Sequence, residues 1–79
     1  MKKFEVVKRL VEKDVHVASI KANSLDEAQM IFDKSYRNEK ESMKRGDAMI
    51  IAEVDGDVVF DNNHRLVVTS GNMNMFYKF

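Results

Sequence analysis

The sequence predicts an α+β fold as a single domain over residues 1–79. An antiparallel sheet of five or six strands carries one helix on one face, in the order β-β-α-β-β-β. Three observations predict it. Val15 to Ala22 alternates and is rich in β-branched residues. Ser24-Leu25-Asp26-Glu27 follows directly as a capping box, in which the Ser hydroxyl accepts from the amide three residues on and Glu27 reaches back to the Ser24 amide. Beyond Gly46, short apolar segments are punctuated by Asp55-Gly56, Asp61-Asn62-Asn63-His64 and Ser70-Gly71.

Lys3 to Glu12 carries two periodicities. Phe4, Val7, Leu10 and Val11 have helical spacing, whereas Phe4-Glu5-Val6 alternates. A strand is the preferred reading, because a turn around Glu12-Lys13-Asp14 then folds it back on Val15–Ala22 as a hairpin. A bulge near Val6-Val7 reconciles the alternation, since an extra residue switches the face that side chains point to. In the second strand, His16, Ala18, Ile20 and Ala22 share one face, and Val15, Val17, Ser19 and Lys21 the other. Ile20 and Ala22 run straight into the capped helix, which places their face against it.

The helix starts at Leu25 and packs through Leu25, Ala28, Ile31, Phe32 and Tyr36. It ends near Asn38 or continues to Gly46, a residue suited to the position after a helix. Ala48–Val54 reads as an apolar strand, Asp55-Gly56 as a two-residue hairpin turn, Asp57–Phe60 as the returning strand and Arg65–Thr69 as the next. After Ser70-Gly71, a last strand at the sheet edge puts Met73, Met75, Tyr77 and Phe79 on one face and Asn72, Asn74, Phe76 and Lys78 on the other. One helix leaves the second sheet face without a cover, and several of Val15, Val17, Val59 and Val67 fall on it. That face predicts a partner or self-association into a homodimer.

The composition narrows the function. A chain of 79 residues has room for one small core. It contains no cysteine, so neither a disulfide framework nor a thiolate metal site is expected, which fits a reducing cytoplasm. Charges interrupt every apolar run in Met1 to Lys8, so neither a signal peptide nor a membrane span is read there. Thirteen basic and thirteen acidic residues cancel, which disfavours both a strongly basic nucleic-acid binder and an acidic DNA mimic. The balance hides an asymmetry: residues 1–45 carry eleven Lys/Arg against eight Asp/Glu, and residues 46–79 carry two against five.

No catalytic motif emerges. His16 lies mid-strand among apolar neighbours, and His64 lies in a turn. Asp55, Asp57 and Asp61 lack the spacing and the terminal Glu of a calcium loop, and two of them read as turn formers, so no metal is expected. Gly46, Gly56 and Gly71 are far apart and cannot form a phosphate-cradling loop, and no cofactor is expected. The basic groups, Lys2, Lys3, Lys8, Arg9 and Lys13 on the hairpin and Lys40, Lys44 and Arg45 after the helix, have no aromatic residues interleaved with them for base stacking.

The opening hairpin, the Ala22-Asn23-Ser24-Leu25-Asp26-Glu27-Ala28 junction and Met49-Ile50-Ile51-Ala52-Glu53-Val54-Asp55-Gly56 together resemble small proteins of phages and mobile elements, some type I-F anti-CRISPR proteins among them. The resemblance covers about two-thirds of the chain and is one of pattern. It implies a non-enzymatic inhibitor in the host cytoplasm, which binds a host protein or ribonucleoprotein complex and blocks nucleic-acid access by occlusion. The alternative is a small nucleic-acid-binding protein using the basic N-terminal hairpin. The residues expected to meet a partner are Tyr36, Arg37, Lys40, Lys44 and Arg45, because Tyr and Arg are enriched at interface hot spots and loops carry function. Lys8 and Arg9 on the hairpin add basic contacts.

Overall fold

The computed structural model describes residues 1–67 and 72–78. The chain runs through β1 (Lys2–Arg9), β2 (Asp14–Ala22), α1 (Leu25–Ser35), α2 (Arg37–Glu41), β3 (Ala48–Glu53), β4 (Val59–Phe60), β5 (Leu66–Val67) and β6 (Met73–Tyr77). Strands β2-β1-β3-β6 form one antiparallel sheet, and β4 and β5 form a separate two-stranded ribbon. The α+β class, the antiparallel pairing and the single main helix agree with the sequence.

The expected single sheet of five or six strands is corrected to four plus two. Asp55-Gly56 does not turn β3 back on itself, although Gly56 adopts φ 97°. Both edges of β3 are already taken. β1 lies along one, with Val54 N donating to Lys3 O at 3.1 Å, and β6 lies along the other, with Glu53 N donating to Asn72 O at 2.8 Å. The chain after Val54 must therefore leave the sheet plane, and it crosses the face away from α1. The turn at Asp61–His64 forms as expected: Asp61 Oδ1 accepts from Asn63 N at 2.8 Å and Arg65 N at 3.0 Å. The rest of the predicted Arg65–Thr69 strand, the Ser70-Gly71 break and Phe79 lie outside the described residues.

The hairpin is a pair of strands, and its register shifts at Val6/Val7 as anticipated. The extra residue is in β2, however. Val6 pairs with Ala18 and Val7 with His16, so Val17 is the bulged position. β1 itself alternates cleanly: Phe4 and Val6 enter the core under α1, and Val7 enters the core on the opposite face. The bulge moves His16 to the face of Val7 and Glu5, not that of Ile20 and Ala22, and brings Val17 to the helix side, where it packs against the core. Both corrections follow from one inserted residue.

α1 begins where the capping box places it. Ser24 Oγ accepts from Glu27 N at 3.1 Å. The reciprocal half is different: the Glu27 carboxylate accepts from Asn23 Nδ2 at 3.4 Å. Ala28 and Phe32 are buried against the sheet, flanked by Leu25, Ile31 and Tyr36. The helix stops at Ser35, short of both predicted ends, because Tyr36 leaves helical geometry at φ −121°, ψ 34°. The polar stretch then forms the short α2, which buries none of its residues and so has no apolar face to align it with α1. Met43 returns to the core.

Two cores result. Phe4, Val6, Ile20, Ala22, Ala28, Phe32, Met49 and Ile51 fill the layer between α1 and the sheet. Val7, Ile50, Ala52, Val54 and Leu66 fill a smaller layer beneath the β4–β5 ribbon, with Val58, Phe60 and Met73 beside them. The second sheet face is thus partly covered by the chain itself, which corrects the expectation of a bare face. Val59, Val67, Met75 and Tyr77 stay exposed around that cover.

Candidate functional site

One end of the sheet gathers cations. β1 ends there at Arg9, β3 begins at Ala48 and β6 ends at Tyr77. The turn before β3 is shaped by Asp47, whose buried carboxylate accepts from Lys44 N at 3.0 Å while its amide donates to Lys44 O at 2.9 Å. Gly46 supplies φ 92° in that turn. Lys78 is drawn alongside, with Gly46 N donating to Lys78 O at 3.0 Å and Lys78 N to Asp47 O at 2.9 Å. Lys44, Arg45 and Lys78 consequently point outward. Arg45, Gly46, Tyr77 and Lys78 line an open hollow of about 440 Å³. A neighbouring hollow of about 470 Å³ shares Gly46 and Tyr77 and adds Arg9 and Arg65.

Behind the second hollow lies a charge network that sequence reasoning did not find. The Asp14 side chain is fully buried. It accepts from Arg9 Nε and Nη2 at 2.9 Å each, from Arg65 Nη1 at 3.0 Å and from Leu66 N at 2.7 Å. Arg65 also donates to the carbonyls of Leu10 at 2.9 Å and Val11 at 2.6 Å, which clips the ribbon to the hairpin loop. Burial alone would raise the Asp14 carboxyl. The hydrogen bonds from Arg9, the Leu66 amide and Arg65 outweigh it and hold the carboxyl below the usual aspartate range. The Arg9 guanidinium is pushed up in turn, chiefly by its hydrogen bond to Asp14. The contacts span more than fifty residues of chain, so no local spacing announces them.

The seven partner-binding residues read from sequence divide between these surroundings. Arg9 is committed to Asp14 on the ribbon side of the sheet. Lys8 points to the opposite side and donates to Ser42 Oγ at 3.2 Å, tying the hairpin to the end of α2. Tyr36 is half-buried, its ring stacked on Phe32 at 6.0 Å between centroids. Lys40 Nζ lies 3.7 Å from Asp33 Oδ1 and 5.5 Å from the Phe76 ring centroid. Arg37, Lys44 and Arg45 are exposed and make no ion pair among the described residues. Arg37 borders a separate depression with Lys34 and Asn38. Residues 37–45 therefore offer a basic corner next to the Arg45–Lys78 hollow, with Lys8 joined to it and Arg9 turned away.

A second polar cluster sits on the ribbon side. The buried Glu5 carboxylate meets His16 Nε2 and accepts from Ser19 Oγ at 2.8 Å and 3.0 Å, with Lys3 Nζ at 3.8 Å. The Ser19 hydroxyl donates to the carboxylate and not to the imidazole, so the three groups are not ordered as a nucleophile and its base. His64 adopts φ 60° in its turn, and its carbonyl accepts from Asp14 N at 2.8 Å. Among the described residues no group of three His, Asp or Glu side chains is placed to hold a metal ion, and no helix is long and apolar enough to cross a membrane. No protein-family model matches the chain, and neither a curated protein nor a solved structure matches it.

Proposed function

We propose that the protein is a small non-enzymatic binding module, encoded by a phage or mobile element, that occludes a host defence complex of the CRISPR type in the host cytoplasm. The observation that carries this reading is the exposed corner at residues 37–45. Arg37, Lys44 and Arg45 project there without ion pairs among the described residues, and Arg45 lines a hollow with Gly46, Tyr77 and Lys78. Exposed guanidinium and ammonium groups without partners suit an acidic protein surface. The Ser19-Glu5-His16 arrangement supports binding over catalysis, because its hydrogen bonds satisfy a buried carboxylate instead of activating the hydroxyl.

The nucleic-acid alternative draws less support. The hairpin cations meant to hold phosphates are largely occupied: Lys2 by Glu53, Lys3 by Glu5 and Gly56 O, Lys8 by Ser42 and Arg9 by Asp14. They also lie on both faces of the sheet, so they do not form one track along a backbone.

The test replaces Arg37, Lys40, Lys44 and Arg45 together with Ser and measures affinity for the captured host complex. These side chains are exposed, and the Lys40–Asp33 pair is a surface pair, so melting should move little. Affinity is expected to fall at least tenfold, about 1.4 kcal/mol. Undiminished affinity in moderate salt would remove the corner from the interface.

A further inference from the structure

Two strands bound the sheet, and they are treated differently. The outer edge of β2 is irregular: the strand carries the Val17 bulge, its Asp14 amide is taken by the His64 carbonyl, and the exposed Lys21 stands along it. Bulges and charges are the usual means by which edge strands avoid pairing with other chains. β6 has neither. Met73-Asn74-Met75-Phe76-Tyr77 contains no charge and no proline, pairs with β3 in unbroken register and has no strand on its outer side among the described residues.

We propose that β6 is a self-association edge, at which a second copy of this chain pairs antiparallel and extends the sheet across a two-fold axis. The register follows from the hydrogen bonds within one copy. Asn72 accepts from Glu53 N, and Lys78 both donates to Asp47 O and accepts from Gly46 N. Even-numbered residues of β6 therefore direct their main-chain groups toward β3, and odd-numbered residues direct theirs outward. Centring the axis on Met75 makes Met75 its own hydrogen-bonded partner and sets the Met73 side chain against the Tyr77 ring of the second copy. Met75 and Tyr77 are 38% and 52% exposed, and thioether–aromatic contact is favourable.

Charge complementarity selects this register. It puts Lys78 of one copy opposite Asn72 of the other, and Asn72 is the neighbour of Glu53, to which its amide donates at 3.2 Å. Lys78 and Glu53 of the second copy, whose carboxylate Lys2 of its own copy meets at 3.7 Å, are then two strand spacings apart, about 10 Å between Cα atoms; Lys78 joins that pair as a second cation. Their side chains lie on the same sheet face, that of Asn74 and Phe76, and together can span that distance. The two-fold repeats the pair, as an isologous interface requires. This inference does not depend on the proposed function, whose basic side chains Arg37, Lys40, Lys44 and Arg45 lie outside β6.

Sedimentation equilibrium over a rising concentration series tests it. The apparent mass is expected to climb from 9.2 kDa to twice that value. Met75→Lys puts like charges opposite each other at the axis and is expected to weaken the dimer at least tenfold, while Val15→Lys on the β2 side leaves it unchanged. Lys78→Glu alone is expected to weaken it several-fold, and the double exchange Lys78→Glu with Glu53→Lys to restore it. The exchange decides the matter if Met75→Lys does not fold. A protein that stays monomeric into the hundreds of micromolar, or a dimer that Val15→Lys disrupts and the β6 changes do not, would overturn the proposal.

Discussion

Asp14→Ala is expected to destabilise the protein by about 3–5 kcal/mol, the usual cost of removing one partner from a buried ion pair. The substitution leaves the Arg9 guanidinium and the Leu66 amide without their acceptor and removes one of the three acceptors of Arg65. It also weakens the link between the hairpin and the ribbon, leaving only the bonds of Arg65 to the Leu10 and Val11 carbonyls and of Asp14 N to His64 O, so the core under β4 and β5 should open first. Urea denaturation gives the size of the loss, and amide exchange at Leu66 and Val67 its location. A domain of this length has a total stability of roughly 4–12 kcal/mol, so the variant should sit near its unfolding midpoint. The same residue sets an acid dependence. Its folded carboxyl titrates below the unfolded one, so its contribution is full above an unfolded aspartate's value of about 3.9 and is lost as pH falls through the lower folded value. Wild-type stability should therefore decline more steeply than that of Asp14→Ala below about pH 4. A loss under about 1 kcal/mol, the range of surface pairs, would mean that the network does not hold the ribbon.

Phe32→Ala is expected to cost about 3–5 kcal/mol by a different route. Phe32 is fully buried, and it carries the contact of α1 with both ends of the helical layer: its ring lies 6.0 Å from Tyr36 and 5.9 Å from Phe76. Truncation leaves a cavity between the helix and the sheet, and it removes the ring that holds Tyr36 at the α1–α2 junction. The effect should thus reach residues 37–45 as well as stability. Met30→Ala is the control on the same helix. Met30 is 58% exposed, and its loss should stay within about 0.5 kcal/mol. Equal effects from the two substitutions would contradict the packing described above.

The parts of this fold that were legible in sequence are those set by neighbouring residues. Ser24 to Glu27 marks the start of α1 because a cap acts over three positions. Alternation in Met73–Tyr77 gives the two faces of β6 because strand period is local. The shift at Val6/Val7 was visible as a conflict between two periodicities, but which strand held the extra residue was not, since a bulge is a relation between two strands. Asp55-Gly56 has a hairpin signature and is not a hairpin because β1 and β6 compete for the same strand edges. The candidate site follows the same division. Arg37, Lys44 and Arg45 were readable as an exposed polar stretch. Arg65, Asp14 and Lys78 were not, because their roles depend on contacts between distant segments.

The most direct measurement of the central claim is capture from host lysate with the intact protein as bait, carried out with and without nuclease. Binding through the basic corner to an acidic protein surface predicts that the same host complex is retained after nuclease treatment and is lost with the Arg37, Lys40, Lys44 and Arg45 substitutions. Capture of nucleic acid alone, abolished by nuclease, would contradict it.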